Sequence, residues 1–419
     1  MSPACCEVSA NFAFHAVKSI KPAIFLTAIL LFAVAATGSA RAQTYSLLHT
    51  FTGGGDGACP ITGLTAGPGG SFYGTTSGCG TGSGSVFKLK QMGAGWILNT
   101  LYRFQGGSDG SDPAGRVAIG ADGTLYGTTF AGGSGYGVCH GGCGTIYHLV
   151  PQVRAPLTAL SLWNETVLYR FSGSGDGGGP KDDLTLDQAG NLYGTGYYPG
   201  VVYELMPNGG NWTEAVLYSP GNYNAWGGVI FDSAGNLYGV SAFGGDFGLG
   251  AVYQLSPSPT GWIEQTLYSF TGQGDGETPE GGLIMDSLGN IYGTTAYSDS
   301  GHNGTVFEIS PANGSWTFTT LYDLPAGSGV PTGPVDKLTL DPNGNLYGTT
   351  YYGGSAGVGT VFELTPSSGG WTYTLLHDFT GLADGGFPAS NLLLDASGNL
   401  YGTGYGGGSG YGVVFEITP

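Results

Sequence analysis

The chain has 419 residues, of which 83 are glycine and 22 proline, a combined share at which low-complexity disorder becomes common. Its 41% hydrophobic and only 10% charged residues argue against disorder, because so apolar a composition can bury a core. The 29 acidic and 11 basic residues give a formal charge of −18. This balance argues against a nucleic-acid partner, since phosphate binding needs clustered Lys and Arg. The composition predicts a folded protein with many turns and few helices.

The N-terminal region has the features of a secretory signal peptide. The apolar run Ala23–Ala36 follows Lys18 and Lys21 and precedes a small-x-small pattern that ends at Ala42. The run has 14 residues, whereas a bilayer span needs ~20. We predict that residues 1–42 are removed by cleavage after Ala42, giving a secreted protein, extracellular or periplasmic, with no membrane segment. An uncleaved N-terminal anchor is the alternative, and the long region before the run leaves the true start codon open.

The rest of the chain repeats one unit seven times. Each unit carries a Tyr-Gly pair, then a pair of the Val-Phe type, and in six units a Trp with Leu five residues later. The tyrosines of the first pair are Tyr73, Tyr126, Tyr193, Tyr238, Tyr292, Tyr347 and Tyr401. The mature length gives about 54 residues per unit, close to the length of propeller repeats.

The missing Trp segment lies at the other end of the chain. Residues 43–51 match residues 371–379 in register, and the last unit stops at Pro419 without its own Trp segment. The N-terminal segment can therefore complete the last unit. An open solenoid would need capping repeats instead, so this arrangement predicts a closed ring of blades.

Each unit has the pattern of four short strands with period-two alternation. In the sixth unit these are Lys337–Asp341, Asn345–Thr350, Thr360–Leu364 and Trp371–Leu376. The sequence Asp-x-x-Gly-Asn between the first two strands is a tight hairpin signal. We predict an all-β, closed seven-bladed β-propeller over residues 43–419, with four strands per blade and the N-terminal strand completing the last blade. A ligand site is expected on the loop-rich face or in the central channel.

Two motifs of the sixth unit resemble a known tandem repeat. Gly-Asn-Leu-Tyr-Gly-Thr-Thr at residues 344–350 and Gly-Thr-Val-Phe-Glu-Leu-Thr-Pro at residues 359–366 are similar to the Gloeo/Verruco (GloVer) repeat of exported bacterial proteins. The resemblance covers residues 43–419. It implies secretion and a repeat-built β architecture, and it implies no particular activity.

Aspartates in the blade-joining loops are candidate ligand-binding residues. Each precedes glycine and is expected on the loop-rich face, where it suits cations or sugar hydroxyls, although Asp-Gly is also a common turn former. These residues are Asp56, Asp109, Asp176, Asp275 and Asp384. Blade four lacks the pair but adds Trp226, which suits either stacking on a sugar or anchoring a packed loop.

A second set of aspartates lies six residues before the Tyr-Gly tyrosine in five units. These residues are Asp187, Asp232, Asp286, Asp341 and Asp395. A calcium site would need several converging oxygens, whereas a turn would use each carboxylate to accept backbone N–H bonds in its own hairpin. Recurrence around the ring favours the turn. No cofactor is therefore expected, with calcium left open.

Four cysteines follow the signal peptide, and export makes disulfides the default. We predict the pairs Cys59–Cys79 and Cys139–Cys143. Cys59 lies in a blade-joining loop and Cys79 in the Gly-rich loop of the same blade, so both fall on one face. The segment Cys139-His140-Gly-Gly-Cys143 is also a candidate metal site, but it offers three ligands where structural zinc takes four.

No nucleophile motif, zinc-protease helix or phosphate loop is present in the sequence. We therefore expect a non-catalytic binding or scaffold module, a monomer whose loop face meets an extracellular polysaccharide or protein. One alternative is a propeller-fold enzyme, such as a polysaccharide lyase, glycoside hydrolase or lactonase, that uses acidic residues at the loop face. Another is a structural protein of the cell envelope.

Overall fold

The computed structural model describes residues 43–79, 82–152, 163–219, 225–297, 304–324 and 336–418. The signal peptide and cleavage site predicted within residues 1–42 lie outside the described residues. Gln43–Pro419 forms one compact unit. Helix in the described ranges is limited to one 3-10 turn, Gly107–Asp109. None of the helical segments there is long and apolar enough to cross a membrane.

Seven antiparallel sheets, each a blade that is four strands deep, form the ring, which confirms the predicted seven-bladed propeller. The innermost strands of blades one to seven are Thr65–Gly67, Ala118–Ile119, Thr185–Leu186, Ala225–Phe231, Ile284–Met285, Thr339–Leu340 and Leu393–Leu394. The second strands are Ser71–Thr76, Leu125–Ala131, Leu192–Gly196, Leu237–Ser241, Ile291–Thr294, Leu346–Thr350 and Leu400–Gly404.

The outer half of each blade is a longer hairpin. The third strands are Ser85–Met92, Thr145–Pro151, Val201–Asn208, Ala251–Ser258, Thr305–Ala312, Thr360–Ser367 and Val413–Thr418. The outermost strands are Gly95–Arg103, Trp163–Arg170, Asn211–Tyr218, Gly261–Ser269, Ser315–Asp323, Gly370–Asp378 and, for blade seven, Thr44–Thr50. Blade two has a short additional strand, Ser111–Pro113, paired with its second strand.

The ring is closed by the N-terminal strand, as predicted. Thr44–Thr50 pairs antiparallel with Val413–Thr418, so that Thr44 lies opposite Thr418 and Leu47 opposite Phe415. Blade seven is thus built from both ends of the described chain. Opening the ring would break the whole pairing between these two strands, so blade seven holds the ring closed.

The two repeated motifs recur together because they meet in the blade core. In blade six Gly348 of the second strand pairs with Phe362 of the third. A Cβ atom at Gly348 would stand 2.5 Å from the Phe362 ring, and Phe362 is fully buried. Glycine therefore provides the space that the aromatic ring fills. The same glycine–aromatic pairing occurs in all seven blades.

The Asp-x-x-Gly-Asn sequences form the inner hairpins, and their aspartates have the turn role that recurrence favoured. The Asp341 carboxylate accepts the backbone N–H groups of Asn343 and Asn345, each at 2.8 Å. Gly344 adopts φ +87°, a left-handed conformation that favours glycine. The equivalent carboxylates with the same backbone contacts are Asp187, Asp232, Asp286 and Asp395.

Strand lengths differ from the prediction in a consistent way. The inner strand of blade six is only Thr339–Leu340, because the residues before it line the channel rather than pair with the second strand. The outer hairpin is longer than predicted, since Thr360–Ser367 and Gly370–Asp378 pair to their ends.

Both predicted disulfides are present. Cys59 and Cys79 join a blade-joining loop to the Gly-rich loop of the same blade, with Cα atoms 5.8 Å apart. Cys139 and Cys143 are bonded to each other with Cα atoms 5.1 Å apart. The alternative of a metal site at Cys139-His140-Gly-Gly-Cys143 is therefore wrong, because neither sulfur is free to ligate.

Candidate functional site in the central channel

The channel wall is formed by the segment that precedes the inner strand of each blade. In every unit this segment ends in a buried Leu or Val, and in six units it begins four residues earlier with proline. The described residues of these segments are 60–64, 113–117, 180–184, 279–283, 336–338 and 388–392, and in blade four the equivalent residues 225–229 begin the inner strand itself. Residues from all seven line one cavity of about 240 Å³ on the ring axis.

The threonine of the Tyr-Gly-Thr motif holds these segments in place. Thr349 Oγ1 of blade six donates to the carbonyl of Ser390 in blade seven at 3.1 Å. Thr403 Oγ1 of blade seven donates to the carbonyl of Thr62 in blade one at 2.9 Å. Because each bond joins a blade to the channel segment of the next, the position of the cavity wall is set by the ring as a whole.

Among the residues that the structure describes, charged side chains enter the cavity from four blades. Blade two contributes Arg116, blade three Lys181, Asp182 and Asp183, blade five Glu280, and blade six Asp336 and Lys337. Three of the 11 basic residues precede Ala42, and three of the remaining eight lie here. The repeat itself does not require them, because blades one, four and five have glycine where Arg116, Asp183 and Lys337 stand.

Arg116 and Asp183 form a closed ion pair between blades two and three. Arg116 Nε donates to Asp183 Oδ2 at 2.8 Å, a terminal guanidinium nitrogen lies 2.6 Å from the same oxygen, and Arg116 N–H donates to Oδ1 at 2.9 Å. Burial raises the pKa of Asp183, but the guanidinium more than offsets this and the net pKa lies below its ordinary value. Asp183 is therefore ionised and already neutralised by a partner.

The other three carboxylates of the cavity hold protons more tightly than usual. The pKa of Asp336 is raised to about 7, mainly by burial and also by the charges of Asp183 and Asp182. The Lys337 backbone N–H and the Arg116 charge lower it, but by less. Burial also raises the pKa of Asp182. Lys181 and the Thr195 hydroxyl, which donates to Asp182 at 2.8 Å, lower this pKa but by less. The pKa of Glu280 is raised mainly by burial, with Lys181 opposing. The site is thus less negative near neutral pH than its composition suggests.

Trp226 lies in the inner strand of blade four and faces the cavity, with Lys181 over its ring. Lys181 Nζ is 2.8 Å from the centroid of the Trp226 ring and 5.6 Å from that of Tyr197, a cation–π arrangement. Trp226 Nε1 is buried and has no hydrogen-bond partner among the described residues. Of the predicted binding residues, Trp226 is the one that the structure brings to this cavity.

Three polar groups of the cavity wall have no protein partner. Within the described ranges, the Lys337 ammonium, the Glu280 carboxylate and the Asn391 side-chain amide make no hydrogen bond or ion pair. Asn391 is only 7% exposed. Glycines make room beside two of them, since a Cβ atom at Gly63 would overlap the Asn391 amide and one at Gly282 would lie 3.4 Å from Lys337 Cδ. These groups are free to bind a ligand.

The five blade-joining aspartates lie outside the cavity, each within its own loop. The carboxylate of each accepts the backbone N–H of the residue four positions earlier. It also contacts the Tyr hydroxyl or the His ring nitrogen seven positions earlier. Asp275, for example, accepts Thr271 N–H at 2.7 Å and Tyr268 O–H at 2.8 Å. The equivalent contacts are made by Asp56, Asp109, Asp176 and Asp384. These bonds stabilise the loops, and a ligand role for these residues stays a prediction.

Sequence reasoning missed most of the cavity. The residues it did not single out are Arg116, Lys181, Asp182, Asp183, Glu280, Asp336, Lys337 and Asn391. A signal was available in the repeat alignment, in which the residue three positions after the recurrent proline is glycine in some units and charged in others. No group of three or more His, Cys, Asp or Glu side chains that could hold a metal occurs in the described part of the chain.

Seven four-stranded blades around an axial cavity define a seven-bladed β-propeller. The chain belongs to the Gloeobacter/Verrucomicrobia repeat family, whose model matches residues 36–200, 156–295 and 196–415. No curated protein matches it in sequence.

Solved structures support the same architecture. The chain is similar to a putative 6-phosphogluconolactonase from Bacteroides uniformis, with 14% identity over 82% of this chain and 89% of that one and a TM-score of 0.52. It is also similar to an ulvan lyase bound to -[GlcA(1-4)Rha3S]-, with 13% identity over 86% and 93% of the two chains and a TM-score of 0.53. At these identities the likeness shows the fold alone.

Proposed function

We propose that this protein is an exported, monomeric carbohydrate-binding propeller whose site is the mouth of the central channel. The observation that carries the proposal is the set of unpartnered polar groups beside an indole ring in one axial cavity. Lys337 donates hydrogen bonds, Glu280 accepts them when ionised, and the Asn391 amide does both. Sugar hydroxyls also donate and accept, so a saccharide satisfies all three groups at once.

The size of the cavity limits how much of a ligand enters it. Its volume of about 240 Å³ is below the ~300–1,000 Å³ of pockets that enclose drug-sized ligands. We therefore expect a chain end or a side branch of an extracellular polysaccharide to insert a single sugar unit. Ile61 and Ala389, with Trp226, supply apolar wall for the ring carbons.

Export is supported by the cysteine chemistry. Both disulfides, Cys59–Cys79 and Cys139–Cys143, belong in an oxidising compartment. Together with the signal features of residues 1–42, this supports a periplasmic or extracellular protein that meets polysaccharides directly.

A second candidate function is catalysis on the same saccharide. Asp183 and Asp336 line one cavity while their pKa values are moved in opposite directions, the latter to about 7. Such a split is what an acid–base pair needs. The solved structures of similar fold include proteins named as a lactonase and a lyase, so the scaffold accommodates such chemistry.

The test is a glycan-array screen of residues 43–419 produced with its disulfides, followed by calorimetry on any saccharide that binds. Asn391→Ala is expected to weaken binding by at least about ten-fold, the loss of one buried polar contact. The matched control is Asn211→Ala, at the exposed start of the outer strand of blade three, which should bind normally. Binding of no glycan, or equal binding by both variants, would contradict the proposal. Release of cleaved products would establish the second candidate instead.

A further inference from the structure

We infer that the channel mouth selects a sugar that carries a carboxylate, a hexuronate unit, and that Lys337 holds this carboxylate. The inference rests on the proposed carbohydrate-binding function and names the chemical class of its ligand. It follows from where the few positive charges of the chain lie and from which of them are already paired.

The cavity gathers a large share of the few positive charges of an acidic protein, beside four carboxylates. After Ala42 the chain has 28 acidic and 8 basic residues, and three of the 8 meet in a cavity of about 240 Å³. Like charges held this close and partly desolvated are costly unless compensated. The repeat does not require a charge at the position of Arg116 and Lys337, because blades one, four and five have glycine there, and at the position of Lys181 other blades have Ile61, Ala114 or Ala389.

Two of the three cations are compensated within the protein. Arg116 is neutralised by Asp183 through two side-chain contacts of 2.8 and 2.6 Å. Lys181 rests on the Trp226 ring. Lys337 has no such partner among the described residues, and its stem lies beside Gly282, whose missing side chain leaves the channel open there. Lys337 is therefore the cation available to a ligand.

The surroundings of Lys337 favour an incoming anion. The charged groups that face it are Asp183 and Arg116 from blades three and two, and Asp336 from its own segment. Burial lowers the pKa of Lys337 and the Arg116 charge lowers it further, whereas Asp183 and Asp336 raise it without restoring its ordinary value, so these carboxylates compensate the ammonium only in part. A charge-assisted hydrogen bond to a carboxylate would supply that compensation.

The carboxylates of the wall do not prevent this. Asp183 is neutralised by Arg116, and Asp336, with its pKa near 7, takes up a proton as the pH falls below neutrality. A protonated carboxyl donates a hydrogen bond to an anion instead of repelling it. A sugar carboxylate, with a pKa of roughly 4 like other carboxyls, stays ionised meanwhile. Affinity for a uronate is therefore expected to rise from pH 8 to pH 6.

A uronate also accounts for the neutral part of the wall. The Asn391 amide and the Glu280 carboxyl can bind ring hydroxyls, and Trp226 faces the same space. A bare inorganic anion on Lys337 would leave the Glu280 carboxyl and much of the Asn391 amide unpartnered. Sulfate is accordingly expected to compete only weakly.

The test compares trigalacturonate, triglucuronate and trimannuronate with their methyl esters, which differ in charge alone, by calorimetry on residues 43–419. At least one acid should bind ten-fold or more tightly than its ester, with the preference growing from pH 8 to pH 6 while ester binding stays constant. Lys337→Gln should bind acid and ester equally, Lys337→Arg should keep the preference, and the exposed control Lys90→Gln should behave as the unmodified protein.

The outcomes separate the two proposals. An ester or neutral trisaccharide that binds as tightly as the acid overturns the uronate inference and leaves carbohydrate binding intact. Failure of every saccharide, charged or neutral, overturns the proposed function as well. Binding of sulfate as tightly as of the uronates would identify a general anion site and overturn the inference. If Lys337→Gln does not fold, the acid–ester comparison on the unmodified protein still decides.

Discussion

Tyr45 stacks on His377, with ring centroids 4.2 Å apart and ring planes 15° from parallel. Tyr45 belongs to the N-terminal strand in blade seven, and His377 to the outermost strand of blade six. Tyr45 also packs on Phe415 at 5.8 Å between centroids. The first strand of the described chain therefore joins two neighbouring blades through its side chains as well as completing one through its backbone.

Deletion of residues 43–51 is expected to lower the melting temperature markedly, because it opens the ring and uncovers the fully buried Phe379 and Phe415. Thermal unfolding followed by circular dichroism measures this. Tyr45→Phe, which removes only the hydroxyl that donates to the Asp384 carbonyl, should cause a much smaller change. An unchanged melting temperature after the deletion would show that the ring does not depend on this closure.

Acid is expected to weaken the closure through two histidines. His49 lies 3.2 Å from Asp56 and His377 lies 3.4 Å from Asp384. Burial lowers the pKa of both histidines below 6.5 in spite of the facing carboxylates. The folded state thus favours the neutral rings, and their contribution to stability is complete above pH 6.5 and is lost as the pH falls towards the folded-state pKa.

Tyrosine occupies the equivalent position in other blades, as Tyr102, Tyr169 and Tyr268. The double variant His49→Tyr/His377→Tyr should therefore lose less stability than the unmodified protein between pH 7 and pH 5. The melting temperature of each protein is measured as a function of pH, and the difference between the two is compared. Groups such as Asp336 titrate in both proteins, so their effect cancels in this difference. Parallel pH profiles would rule out the histidines as the source of acid sensitivity.

Asp275→Ala should destabilise the loop between blades four and five. Its carboxylate accepts hydrogen bonds from the Tyr268 hydroxyl, from both N–H and hydroxyl of Thr271 and from Gln273 N–H, at 2.7–2.9 Å. We expect the free energy of unfolding in urea to fall by about 2–4 kcal/mol, because four partly buried donors lose their acceptor.

Adding calcium tests whether Asp275 stabilises its loop or binds a cation. With the carboxylate occupied by its own loop, added calcium should leave the melting temperature of the unmodified protein unchanged. A rise on adding calcium that disappears in Asp275→Ala would instead support cation binding by the blade-joining loops.

Tyr253→Phe is expected to stabilise the protein. The buried Tyr253 hydroxyl has no partner among the described residues, and at this position four blades have phenylalanine, as in Phe307 and Phe362. Removing an unsatisfied buried hydroxyl should gain about 1 kcal/mol in urea unfolding. The reverse change, Phe307→Tyr, should cost a similar amount. A loss of stability in Tyr253→Phe would show that the hydroxyl is satisfied in solution.

The scaffold was predictable because its features are local or strictly repeated. The match of residues 43–51 to residues 371–379 identified the closing strand, and Asp341-Pro-Asn-Gly-Asn345 identified the inner hairpin. Such signals depend on residues that are near in sequence or recur in each unit. The disulfide Cys59–Cys79 followed once both residues were placed on one face.

The candidate site was not predictable in the same way. Trp226 was singled out as an exception to the repeat, but Lys181 over its ring and Asn391 in the same cavity come from blades three and seven. Nothing in a linear reading joins these residues, since they lie in segments of different repeats that are far apart in the chain. Likewise, the loop contacts of the five blade-joining aspartates could not be read from the sequence, and a ligand role for these residues stays a prediction.

The sequence by itself determined a ring of seven β units closed by its N-terminal strand, because strand alternation, turns and repeat register are properties of short segments. Only the tertiary structure decided where chemistry can occur. Closure of the ring brings Arg116, Asp183 and Lys337 to one axial cavity, and burial by the surrounding blades moves the pKa of Asp336 to about 7. Both effects depend on desolvation and proximity created by distant segments, which no single repeat contains.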